Sequence, residues 1–144
     1  MARTIVTRNI NAPVELVFRT IADINQFSKA VPHIVKVEFL SDIKLGVGAR
    51  FRETILMKEK ETTTELQVTE YDENNRIRLV AIDHGIVWDT VFVVKREINY
   101  TNLTLTMDAI TQRPIAKIMI FFITGMVKKA IERDLDGVKA FCER

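Results

Sequence analysis

Cysteine is almost missing from this chain: Cys142 is the one thiol in 144 residues. A lone thiol excludes an internal disulfide and a cysteine-built zinc site. Its place on an apolar stripe near the C-terminus reads as a buried side chain rather than a reactive one. Histidine is nearly as scarce. His33 and His84 both fall in loops, and neither has the spacing of a metal-binding pair such as His-Glu-x-x-His, so no metal and no other cofactor is implied. A strong charge of one sign is lacking too. The 21 basic and 19 acidic residues leave a net charge of +2. They are interleaved, with no basic stripe and aromatic platform, and this argues against a nucleic-acid partner. The longest apolar run, Ile115 to Val127, falls short of the ~20 residues needed to cross a bilayer and is interrupted by Lys117, so no stable membrane insertion is expected. Met1-Ala2-Arg3-Thr4 opens without an apolar leader, which places the expected compartment in the cytoplasm. The sequons at Asn99 and Asn102 are therefore not expected to carry glycans.

What is present is the composition of a folded globular chain: 47% hydrophobic and 28% charged residues. The length suits one domain, residues 1–144, able to hide about 70% of its unfolded surface. Thr4 to Ile10 alternates as a strand, with Ile5 and Thr7 on one face and Val6 and Arg8 on the other. Asn11-Ala12-Pro13 starts a helix, with the cap at Asn11 or Ala12 and Pro13 in the first turn. Val14, Val17, Phe18, Ile21 and Ala22 mark its buried face. A second short helix is expected over Gln26 to Ala30, stopped by Pro32. Strands follow at Val35 to Leu40, Arg50 to Met57, Glu61 to Tyr71, Arg76 to Asp83, Ile86 to Lys95 and Tyr100 to Thr111. The connections are too short for parallel crossovers, so the sheet is an antiparallel meander.

Pro114 then opens a helix predicted to run to Arg144. Its second half is amphipathic, with Ile131, Leu135, Val138 and Phe141/Cys142 at helical spacing. Its first half is apolar all round and so needs cover on most sides. The order amounts to an α+β fold, with helices packed on one face of a curved antiparallel sheet of about seven strands.

Several segments resemble a known superfamily. Ile10-Asn11-Ala12-Pro13-Val14-Glu15-Leu16-Val17-Phe18 is similar to its "I-x-A-P-x-x-x-V-(W/F)" opening. Asp23-Ile24-Asn25-Gln26-Phe27 looks like its "D-x-x-x-(W/F)" segment, followed by Val31-Pro32-His33. Gly46-Val47-Gly48-Ala49-Arg50-Phe51 matches its "G-x-G-(A/T)-x-(F/V)" turn. In this order and spacing the whole chain resembles the START-like, or SRPBCC, superfamily, which includes polyketide cyclases, lipid-transport proteins and birch-pollen-allergen-like proteins. The resemblance implies a helix-grip fold, a sheet wrapped around the C-terminal helix, with a cavity between them for a small hydrophobic ligand. It also implies a mobile Gly46–Gly48 loop near the cavity mouth. That loop is not a phosphate-binding fingerprint, since it enters a strand and lacks a third glycine.

Strand alternation supplies the inward set. Phe51, Glu53, Ile55 and Met57 share one face of their strand. Leu66, Val68, Ile77, Leu79 and Ala81 follow on the next two. Trp88, Thr90, Phe92 and Val94 then share a face, as do Leu103, Leu105, Met107 and Ala109. From the last helix Ile115, Met119, Phe122, Ile123 and Met126 are expected to close the space. The expected ligand-binding set is Phe51, Glu53, Ile55, Leu79, Trp88, Thr90, Phe92, Leu105, Met107, Met119, Phe122 and Met126. The same stripes also suit a plainly filled core. Glu53 is the polar candidate and the weak candidate for a catalytic group. Buried, it would seek Arg52, Arg78 or a ligand hydroxyl, or take up a proton; at a rolled strand end it would meet water. Asp83 stands next to His84 and would orient the imidazole only if their side chains met.

Three functions fit these features. The first is a non-catalytic binder or carrier of a small hydrophobic ligand such as a lipid, polyketide, quinone or aromatic compound. The second is a cyclase- or dehydratase-like enzyme using a few polar cavity groups. The third is a docking module similar to coenzyme-Q-binding members, with Ile118 to Val127 partly exposed to a bilayer or another subunit. Monomer and homodimer both stay open.

Overall fold

The computed structural model describes residues 2–144, so Met1 lies outside it. Strand β1 (Ala2–Ile10) leads into helices α1 (Val14–Ala22) and α2 (Ile24–Ala30). Six strands follow: β2 (Ile34–Phe39), β3 (Arg50–Met57), β4 (Lys60–Asp72), β5 (Arg76–Asp83), β6 (Ile86–Arg96) and β7 (Thr101–Ile110). Helix α3 (Pro114–Cys142) ends the chain. The seven strands form one antiparallel sheet in the order β1-β7-β6-β5-β4-β3-β2. The first and last strands of the chain are therefore neighbours, while β2 holds the opposite edge. This is the expected α+β helix-grip architecture.

Local chemistry explains the joints. Pro13 takes the N-cap position of α1, one residue later than expected. The Asp23 side chain accepts from the Asn25 backbone N–H at 3.0 Å, so α2 starts at Ile24 rather than Gln26. His84 and Gly85 turn β5 into β6 with φ of 52° and 77°, the left-handed pair a two-residue hairpin requires. Lys58 and Glu59 adopt the same conformation, φ 50° and 68°, without any glycine.

The main core lies between the sheet and the helices. Ile10, Ile77, Leu103, Leu135 and Val138 are completely buried there. The second half of α3 is held on that core by Ile131, Leu135, Val138 and Cys142. Polar ties at its edge join α3 to β1, with Arg8 Nε donating to Asp136 at 2.6 Å. Gly137 lets α3 approach α2 closely, because a Cβ there would fall on the Ala30 carbonyl oxygen.

The first half of α3 departs from expectation. Its buried side is Ala116 and Ile120, which pack with Ile86, Ala109 and Trp88 in a smaller cluster. Met119, Phe122 and Met126, expected to face inward, are exposed by 44%, 77% and 67%, and so is Ile115 by 83%. Only Ile123 of the expected inward set is partly buried. The inward stripe of the second half simply continues backward at steps of three and four residues through Val127, Thr124, Ile120 and Ala116. The expected face was that stripe turned by about one residue, or roughly 100°.

Candidate functional site

A cavity of about 110 Å³ lies between the sheet and the helices. The sheet contributes Phe51 and Glu53 from β3, Leu66 from β4, Leu79 from β5, Thr90 and Phe92 from β6, and Leu105 and Met107 from β7. Ile21 and Ala22 of α1, Ile24 and Phe27 of α2, and Ile131 and Asp134 of α3 complete the wall. The interior is thus hollow and largely apolar, with one hydroxyl and two carboxyls. The rings of Phe27 and Phe92 meet edge to face at 6.1 Å, fixing α2 against the sheet.

Seven of the twelve expected site residues line this space: Phe51, Glu53, Leu79, Thr90, Phe92, Leu105 and Met107. Five do not. Ile55 packs on the edge of the main core outside the lining. Trp88 belongs to the smaller cluster under the start of α3. Met119, Phe122 and Met126 point to solvent from the far side of α3. Gly46 and Gly48 adopt φ of 89° and 94° in a surface turn, and neither lines the cavity.

Glu53 finds neither of the arginines considered for it. Arg52 Nη2 donates to Glu65 at 2.7 Å, and Arg78 donates to Asp89 at 2.7 Å and 2.9 Å, both on the outer face. Among the described residues Glu53 has no ion-pair partner. Burial raises its pKa to about 7, and the nearby Asp134 carboxylate adds to the rise. Asp134 is raised to about 7 as well, again by burial, with Arg133 working slightly against it. Two carboxyls therefore share one low-dielectric space, and both hold their protons to higher pH than exposed carboxylates do.

His33 joins this group from the turn before β2. Its Nε2 lies 3.0 Å from Asp134 Oδ1, yet that oxygen is buried without an aligned hydrogen-bond donor. The short distance and the missing hydrogen bond are reconciled by direction: the two atoms are close but out of line for a ring N–H. Burial, followed by the Arg133 charge, lowers the imidazole pKa, so the contact is not an ion pair at neutral pH. His84 behaves as a surface residue, although its Nδ1 does meet Asp83 at 2.7 Å, because its side chain is 82% exposed. Cys142 is buried, and its thiol lies 3.4 Å from Thr20 Oγ1.

Asp134 and the α2 residues were not among the expected site residues. Asp134 stands three residues beyond Ile131 and one before Leu135, so it borders the inward stripe of α3. A charged residue at that position was the available signal. Ile24 and Phe27 carried no such mark, because a seven-residue helix has too few turns to show a face.

The arrangement can enclose an apolar body and offer protons or lone pairs at one pole. It contains no cluster of metal-ligating side chains among the described residues. Solved structures share the fold closely. The Zhui aromatase/cyclase from Streptomyces sp. R1128 superposes with a TM-score of 0.82 at 19% identity, over 99% of this chain and 94% of that one. TTHA0849 from Thermus thermophilus gives 0.79 at 19% identity, over 98% and 97%. Ara h 8.0201 gives 0.76 at 11% identity, over 98% and 97%. A comparison with the curated proteins finds no match. A family model described as "Polyketide cyclase / dehydrase and lipid transport" matches residues 1–143, and the chain belongs to that family, within the START-like superfamily.

Proposed function

We propose that this protein binds a small, mostly apolar ligand in the cavity between the sheet and α3. The apolar body lies against Phe51, Leu79, Phe92 and Leu105, and one polar group meets Glu53 and Asp134. The observation that carries this reading is a hollow apolar space lined by two carboxyls, one of which, Asp134, holds a buried oxygen with no hydrogen-bond donor. A buried polar atom without a partner is costly, and a ligand that supplies the missing hydrogen bonds recovers that cost. The volume of about 110 Å³ suits a single ring or a short branched chain. It falls below the ~300 Å³ at which drug-sized sites begin. A lipid, a tailed quinone or a folded polyketide would require α2, with Ile24 and Phe27, to move outward.

Native mass spectrometry of the protein as purified, followed by titration with phenol and toluene, tests the reading. A retained apolar adduct, or saturable binding that Leu79→Phe abolishes by filling the space, is the expected result. Absence of both an adduct and any saturable binding would sink it.

A second reading rests on the two carboxyls that line the cavity together, both with raised pKa. A protonated Glu53 can give its proton to a ligand carbonyl oxygen while Asp134, ionised, takes one from an adjacent carbon, which is the acid–base pairing a cyclisation or dehydration needs. In that case Glu53→Gln keeps ligand affinity and loses turnover by roughly 10²-fold or more.

A further inference from the structure

The first half of α3 carries a run of exposed apolar side chains. Phe121 is 78% exposed and Phe122 77%, and their rings stack edge to face on each other at 5.6 Å rather than on the core. Ile115, Ile118, Met119 and Met126 extend the same surface along the helix. Monomeric soluble proteins rarely leave a contiguous patch of this kind without a use.

The charges beside it are of one sign. From Arg113 to Ile131 the sequence holds Arg113, Lys117, Lys128 and Lys129 and no acid, the first being Glu132. None of these four cations takes part in an ion pair among the described residues, whereas most arginines elsewhere do. The segment Ile115 to Val127 is about 20 Å long at 1.5 Å per residue, too short to cross a bilayer but long enough to lie along one. No helix among the described residues is long and apolar enough to cross.

We propose that this face seats on an anionic lipid surface, with Phe121, Phe122, Ile118 and Met126 in the acyl boundary and the lysines at the phosphate level. Two alternatives fit the charges less well. A two-fold dimer through this face would set Lys117, Lys128 and Lys129 of one copy near the same residues of the other, with no acid in the segment to separate them. A folded acidic partner would have to match this apolar face in shape as well as answer the flanking cations. A lipid surface requires no such register and rewards apolar burial together with cationic charge.

Vesicle flotation of the full chain tests the proposal, using phosphatidylcholine alone and phosphatidylcholine mixed with phosphatidylserine. The protein should float with the mixed vesicles, weakly or not at all with phosphatidylcholine, and binding should fall severalfold as salt rises. F121S/F122S and K128E/K129E, all at exposed positions, should each lose binding tenfold or more while unfolding at the wild-type temperature. Glu53→Gln should float as wild type does, which separates this face from the cavity. Retention in the aqueous layer with both vesicle types overturns the proposal, as does equal binding to both. Sedimentation as a dimer that F121S/F122S dissociates would assign the face to a second copy and overturn it as well.

Discussion

At the residue scale, Glu53 and Asp134 decide the chemistry. A carboxyl with a higher pKa in the fold than in the unfolded chain binds its extra proton in the native state. Stability is then greatest below the unfolded value of 4.5 for Glu53 and declines as pH rises toward about 7. Asp134 acts in the same sense from 3.8 to about 7. His33 acts oppositely, since a lowered imidazole pKa favours the fold as pH rises toward 6.5. Glu53→Gln should therefore flatten the decline in denaturant-measured stability between about pH 4 and pH 8. It should stabilise the protein on the order of 3 kcal/mol at the upper end, given ~1.4 kcal/mol per pKa unit. A variant with the wild-type slope would mean that Glu53 stays solvated in the folded state. Alternation alone places Glu53 on the inward face, but it cannot find the neighbouring Asp134. The two are far apart in the chain, and only the packing of α3 across β3 brings their charges together.

At the element scale, the closing helix carries the clearest lesson. Its first half is apolar on every side, so periodicity has no contrast from which to choose a face. The strands do have that contrast: Leu103 and Leu105 on β7, and Phe92 and Val94 on β6, are buried where alternation places them, opposite Thr104, Thr106 and Asp89. The actual face of α3 is set by the amphipathic second half, which is rigidly continuous with the first. Ile120→Ala should cost about 2–4 kcal/mol in thermal or urea unfolding, whereas Phe122→Ala should stay within about 0.5 kcal/mol despite removing the larger side chain. The reverse ranking would restore the face expected from sequence. Gly137→Ala would add helix propensity but strike the Ala30 carbonyl, so a net loss of about 1–3 kcal/mol is expected where propensity alone gives a gain. On the hairpin between β3 and β4, replacing Lys58-Glu59 by Asn-Gly should stabilise by about 0.5–1 kcal/mol, because both residues already hold left-handed backbone.

At the scale of the whole molecule, a hollow core links ligand binding to stability. A ligand at about a hundred times its Kd adds about 2.7 kcal/mol to the native state. For a chain of this size that is roughly 5–10 °C in Tm. Saturating phenol should produce such a shift in wild type and none in Leu79→Phe, read by differential scanning fluorimetry. A shift that survives in the filled variant would place the binding elsewhere.

Local sequence was enough to specify the order of elements, the antiparallel meander and the inward faces of most strands, because each of these is written in alternation, turn residues and short connections. Three things were settled only by packing at long range. The interior is hollow, since Leu, Met and Phe at inward positions suit filled and empty spaces equally. Asp134 stands beside Glu53 in the cavity wall and against His33 on its other side, distant meetings with no local signature. The greasy half of α3 faces outward, because a helix apolar on all sides takes its orientation from whatever its polar-patterned continuation is packed against.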